Sequence, residues 1–178
     1  MGLNYLNLDA RTRVLMLEEI DSDNNSGRLF TSDRLSETGR NDYPALLRDA
    51  AQSRDDSWLA MQLKLNSRLN AMEQKRKPTG GFYMARVPVI AAETMAEGEF
   101  NRFYIRGLCR RAIEGGMTEV EVYRAKPVEK PRTESMAKIG ARVSATALLA
   151  DLRDNIGVDT ALGLPSGPNS GLSIKLVS

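Results

Sequence analysis

Gly81-Phe-Tyr-Met-Ala-Arg-Val-Pro-Val-Ile90, Phe100-Asn-Arg-Phe-Tyr-Ile-Arg-Gly-Leu-Cys-Arg-Arg-Ala-Ile113 and Glu119-Val-Glu-Val-Tyr-Arg-Ala-Lys126 decide the fold. The first is rich in aromatic and β-branched residues, which suit a pleated, half-buried surface. Pro88 has no N–H for a ladder, so this strand is expected at a sheet edge or to end there. The middle stretch has helical spacing: Ile105, Leu108, Cys109, Ala112 and Ile113 share one side, widened near the start by Phe100, Phe103 and Tyr104. Thr94, with Glu97 three residues on, predicts a capping box at its start, and Gly115-Gly116 supplies the stop. The third stretch alternates, Val120 and Val122 against Glu119, Glu121 and Tyr123. Strand, helix and strand within about 45 residues have the size of one βαβ unit, with an antiparallel return also open. The expectation is an α+β fold, N-terminal helices plus a small sheet packed on one central helix in a strand-helix-strand core.

Working toward the N-terminus, Glu73 to Gly81 is polar and broken by Pro and Gly, and reads as a linker over 74–81. The division is therefore a mainly helical region, 1–73, and an α+β core with a loop-rich tail, 82–178. In the front region Asp9 predicts the cap of a helix reaching roughly Ile20. Asp21 to Gly27 reads as a solvated turn: it resembles a calcium loop at its start, but glycine is missing at the sixth position and Ser32 stands where a Glu is needed. Asp42-Tyr43-Pro44 predicts the opening of a second helix. The third is expected to set Trp58, Met61, Leu65 and Leu69 in one apolar stripe. Toward the C-terminus, Pro127–Arg132 and Gly163–Gly171 read as loops. Between them Ser144 predicts a helix with Leu148, Leu149 and Leu152 inward, and Leu172, Ile174 and Leu176 alternate as a last strand.

Composition excludes more than it assigns. The 178 residues contain no histidine and one cysteine, Cys109. That removes the commonest general base and every Ser-His or Cys-His pairing. It also leaves zinc only carboxylates plus a lone thiol. No phosphate-binding or dinucleotide glycine motif is present. The expectation is no catalytic, cofactor-binding or metal-binding residues, and no enzyme activity. Cys109 lies on the apolar helix face and reads as a buried small hydrophobe. No stretch approaches the ~20 apolar residues of a membrane span, so no membrane contact is expected. Net charge is +2, but residues 1–73 hold 9 basic and 12 acidic side chains while residues 74–178 hold 16 and 11. An acidic front and a basic rear favour head-to-tail contact between copies.

The functional candidates are surfaces. Arg102, Arg106 and Arg110 recur every four residues on the side of the central helix away from its apolar residues, with Arg111 adjacent. Guanidinium groups fork onto phosphate or carboxylate, and Arg is enriched at subunit contacts. Glu99 and Glu114 are spaced to neutralise part of the row. The interface candidates are therefore Trp58, Met61 and Leu65 on the third helix and Arg102, Arg106, Arg110 and Arg111 on the central one. The alternative is nucleic-acid binding or a regulatory role, with the arginine row and Lys75–Lys77 on phosphate. A third, minor candidate is Arg124: Val122-Tyr-Arg-Ala125 resembles the strand carrying the NAD-binding arginine of ADP-ribosyltransferases, but the Ser-Thr-Ser strand and downstream Glu-x-Glu of that family are not found.

Three segments, taken in order, carry a wider resemblance. Leu8-Asp-Ala-Arg-Thr-Arg-Val-Leu-Met-Leu-Glu-Glu19, Glu97-Gly-Glu-Phe-Asn-Arg-Phe-Tyr-Ile-Arg-Gly-Leu-Cys109 and Leu162-Gly-Leu-Pro-Ser-Gly-Pro-Asn-Ser-Gly-Leu172 are similar to segments of small virion-associated structural proteins of tailed bacteriophages and prophages. The resemblance implies a capsid-associated or head-to-tail assembly component, made in the host cytoplasm and located in the virion. Its implied partners are other virion proteins and copies of itself. It carries over no residue roles. Polar stretches at 21–27, 73–81, 127–132 and 163–171 fit a protein whose loops order against neighbours.

Overall fold

The computed structural model describes residues 2–156 and 171–177. Among the described residues six helices and five strands follow one another as α1 (Ala10–Asn25), α2 (Glu37–Ser53), α3 (Asp56–Lys64), β1 (Met72–Arg76), β2 (Phe82–Arg86), α4 (Ala91–Glu114), β3 (Glu119–Arg124), α5 (Thr133–Ala137), β4 (Arg142–Ser144), α6 (Ala145–Asp154) and β5 (Leu172–Leu176). The class is α+β, and α4 is its centre.

At 24 residues α4 is about 36 Å long. Phe100, Phe103, Tyr104, Ile105, Leu108, Cys109 and Ala112 are all buried on it. Ile113, expected on the same face, is 40% exposed because it falls in the last turn, past the packed neighbours. The helix starts at Ala91, a turn before the predicted capping box. Its N-cap position is Ile90, with no side-chain cap, and Glu97 pairs instead with Lys126.

The small sheet has the order β4-β3-β5, antiparallel throughout. Val120 and Val122 face inward as expected and join Ile174, Leu172 and the α4 aromatics in one hydrophobic cluster. The strands before and after α4 do not share a sheet. β2 pairs antiparallel with β1, while β3 lies in the other sheet. The 74–81 stretch, expected as a linker, instead holds the end of β1 and the turn into β2. Gly80 and Gly81 there have φ of 91° and 79°, values that favour glycine.

The N-terminal helices share the α4 core: Met16, Ile20, Leu47, Leu59 and Leu63 lie in the same cluster as Phe103 and Leu108. Asp9 caps α1 through Thr12 N at 3.2 Å. The helix then runs through Asp21–Asn25, which the sequence reading assigned to a turn. α2 starts at Glu37, capped by Ser36, so Pro44 stands inside the helix rather than in its first turn. α3 is capped by Asp55 and stops at Lys64, because Asn66 and Ser67 both take φ of 54°. Leu69, placed in the α3 stripe by its spacing, is off the helix and bridges to Leu35. α6 matches the expectation, with Ser144 as cap and Leu148, Leu149 and Leu152 buried. β5 contains the predicted Leu172, Ile174 and Leu176. The loop expected at 163–171 lies outside the described residues except for Gly171.

Candidate interaction surfaces

The arginine row does not face solvent. Arg106 is 2% exposed and Arg102 8%. Arg106 Nε donates to Glu19 Oε2 at 2.8 Å, and its two Nη atoms fork onto the Asp23 carboxylate. Its guanidinium also lies 4.9 Å from the Phe103 ring centroid, within cation–π range. Glu19 is a hub, taking in addition Arg153 Nη2 at 2.5 Å and Arg110 Nη1 at 3.4 Å. Burial raises the Glu19 carboxyl pKa, but the Arg153 and Arg106 hydrogen bonds outweigh that and hold it below the ordinary value. Arg102 Nη1 donates to Leu152 O and Asn155 O at 3.2 and 3.1 Å, tying α4 to the end of α6. Arg110 and Arg111 reach the surface already paired, Arg110 with Glu18 and Glu114 and Arg111 with Asp9.

The cause is a match between two columns. Glu19 and Asp23 stand four apart on α1, and Arg102, Arg106 and Arg110 stand four apart on α4. Packing the two helices brings the columns together. Assigning 21–27 to a turn concealed the acidic column, since Asp23 joins Glu19 on one face only if the helix continues past Ile20. Asp21, Ser22, Asp23, Asn24 and Asn25 are all weak helix formers, so no local signal announced the continuation, which the pairing with α4 accompanies.

Beside this network Glu99 is buried. Its Oε1 sits 3.8 Å from Arg102 Nε, and no hydrogen bond reaches Glu99 Oε2, Arg102 Nε or Tyr43 Oη. Burial dominates there and pushes the Glu99 carboxyl up to about 7, against the opposing charges of Arg102 and Arg106.

The α3 candidates divide. Leu59, Ala60 and Leu63 form the inward face, one step round the helix from the expected stripe. Met61 and Leu65 are therefore 55% and 48% exposed. Trp58 is half-buried and lines an open cleft of about 490 Å³ with Leu3, Tyr5, Leu8, Arg13 and Arg54. Arg13 is already committed there, donating to Ala51 O at 2.8 Å and Arg54 O at 2.9 Å.

Sequence reading missed the most exposed apolar surface. β1 and β2 form a two-stranded arm with Met72 opposite Arg86, Gln74 opposite Met84 and Arg76 opposite Phe82 on one face. All six are exposed. Phe82, Met84 and Met72 are open by 61, 59 and 42%. The arm is fixed at its root by Val87 N to Ala71 O and by Glu73 held by Arg34. Val89 and Ile90, 91 and 62% exposed, lie where the chain returns to α4. The Lys64–Glu93 pair brings the end of α3, with Met61 and Leu65, to the same end of the molecule. Most of the large exposed apolar residues among those described thus fall between 61 and 90. Monomer surfaces seldom concentrate apolar groups this way unless something covers them.

Among the described residues no cluster of His, Cys, Asp or Glu is placed to hold a metal ion, and no helix is long and apolar enough to cross a membrane. No protein-family model matches the chain, and no curated protein or solved structure matches it either.

Proposed function

We propose that this chain is a non-enzymatic structural component of a tailed-phage particle, capsid-associated or at the head-to-tail junction, acting through protein–protein contacts. The observation that carries the reading is the β1–β2 arm. An isolated two-stranded hairpin is marginal in water, and this one presents Phe82, Met84 and Met72 to solvent from a body whose own core is filled. Such an arm gains stability when a partner covers it. The resemblance of the three segments to virion-associated proteins supplies the context. The contact surface moves accordingly, from the arginine row to the arm, Met61 and Leu65. The test is mass spectrometry of particles purified from the phage or prophage that encodes the chain. The chain is expected in fixed stoichiometry to the other virion proteins, and its absence from intact particles would sink the reading.

A second reading, nucleic-acid binding, now rests on the arm alone. Lys75, Arg76, Lys77 and Arg86 are on it, whereas the helix arginines are engaged by carboxylates and carbonyls. Gel shifts on arbitrary duplex that collapse between low and moderate salt would favour it.

A further inference from the structure

We propose that the β1–β2 arm of one copy docks along the outer column of α2 in a second copy, a head-to-tail self-contact. This narrows the assembly reading above to a specific partner and rests on it. The outward face of the arm has a defined layout: Arg76 beside Phe82 at the tip, Gln74 beside Met84 in the middle, Met72 beside Arg86 at the root. Lys75 and Lys77 add positive charge at the strand and turn. The arm's one acidic residue, Glu73, is already held by Arg34 and Lys75. Two such arms laid edge to edge would oppose like charges, and lysine on an open strand edge discourages that pairing. The occupant must be acidic, with room for aromatic and thioether side chains.

This chain presents a column with unpaired acids, flanked on one side by the exposed Arg40 and by Arg48, whose charge Asp21 takes up. On α2, Glu37, Asn41, Ala45 and Asp49 stand four apart in one column, and all four are exposed. Asp33 is exposed in the turn just before the helix. None of Asp33, Glu37 and Asp49 takes part in an ion pair among the described residues, although nearby Asp21, Asp42 and Glu73 all do. The spacing also matches. Arg76 and Arg86 sit four ladder steps apart, about 13 Å, and Glu37 and Asp49 span about 18 Å of helix, a difference that flexible arginine stems absorb. Between the acids stand Asn41 and Ala45, side chains short enough for Phe82 and Met84 to lie against. Because the arm and the column are different patches of one chain, the contact is heterologous and propagates into a ring or a filament rather than stopping at a dimer.

The experiment is sedimentation velocity on the full chain over a range of concentrations, at low and at moderate salt. Self-association that weakens with salt is expected of the wild type. Phe82→Ser with Met84→Ser should weaken it about tenfold or more. Arg76→Glu with Arg86→Glu, and separately Glu37→Arg with Asp49→Arg, should each give monomers, and an equimolar mixture of the two variants should associate again. All these positions are solvent-exposed, so circular dichroism and melting should show both variants folded. A wild type that stays monomeric at its highest soluble concentration, or reversed variants that fail to recover on mixing, would overturn the contact, as would a monomer that binds only DNA. A monomer that is nonetheless found in particles would remove the self-contact and leave the virion reading standing. Self-association by a chain absent from particles would do the reverse.

Discussion

Arg106 and Asp23 face each other across α4 and α1 in a two-pronged fork, Nη1 to Oδ2 at 2.5 Å and Nη2 to Oδ1 at 2.9 Å. With Glu19 on the third donor, the guanidinium makes a buried junction between the first helix and the central one. The same carboxylate, Glu19, reaches Arg153 in the last turn of α6. Three elements distant in sequence are thereby held in one register.

Breaking that junction from one side should be costly, because Asp23 would lose the guanidinium it forks with, and Glu19 one of its three, in a poorly solvated site. Arg106→Met is expected to lower unfolding free energy by about 3 kcal/mol, read from urea denaturation. Arg110→Ala, at a partly exposed pair, should cost no more than about 1 kcal/mol. Equal effects from the two would show that burial does not set the energetics of this network.

Glu99 gives the fold a pH dependence of unusual sign for a carboxyl. Its pKa is raised by burial from 4.5 to about 7 in the folded state, so the folded protein holds that proton more tightly than the unfolded chain. The associated stability is full below pH 4.5 and is lost progressively as pH rises through about 7. The total change is about 3 kcal/mol. No histidine titrates in the same range. Urea midpoints measured from pH 5 to 8 should therefore fall in the wild type and stay nearly level in Glu99→Gln. A wild-type midpoint that rises over this interval contradicts the assignment.

Two glycines of α4 should respond in opposite directions to the same substitution. Gly98 has open space around it, so Gly98→Ala gains helix propensity and should stabilise by about 0.5–1 kcal/mol. A Cβ on Gly107 would meet Met16 N at 3.0 Å and Thr12 O at 3.1 Å, both backbone atoms of α1. Gly107→Ala should therefore be a net destabilisation of about 1 kcal/mol, as overpacking outweighs propensity. Thermal melts that rank the two the other way would show that α1 yields easily.

Cys109 should behave as packing and not as a reagent. It is fully buried, and burial pushes the thiol up to about 12, leaving about one thiolate in ten thousand at pH 8. A thiol-specific chromogenic reagent should modify it slowly in the native protein and rapidly in urea. Prompt reaction without denaturant would place it at an accessible surface.

The α+β class, the central helix, the inward pair Val120 and Val122, the Asp9 and Ser144 caps, β5 and the burial of Cys109 were all legible in the sequence. Each depends on periodicity or on a cap that acts within a few residues. Three features were decided only by tertiary packing. The 74–81 stretch became an arm because β2 paired with β1 instead of entering the sheet of β3, and pairing choice is not local. The start of α2 at Glu37 rests on a local Ser36 cap that Pro44 drew attention away from, whereas the stop of α3 at the left-handed Asn66 and Ser67 and the uncapped start of α4 at Ala91 carry no such local signal. The polar side of α4, which its arginines would place in water, is enclosed because α1 brings Glu19 and Asp23 to meet it. A side chain's charge is written in the sequence, but whether it meets solvent or a counter-charge depends on which helix is laid against it.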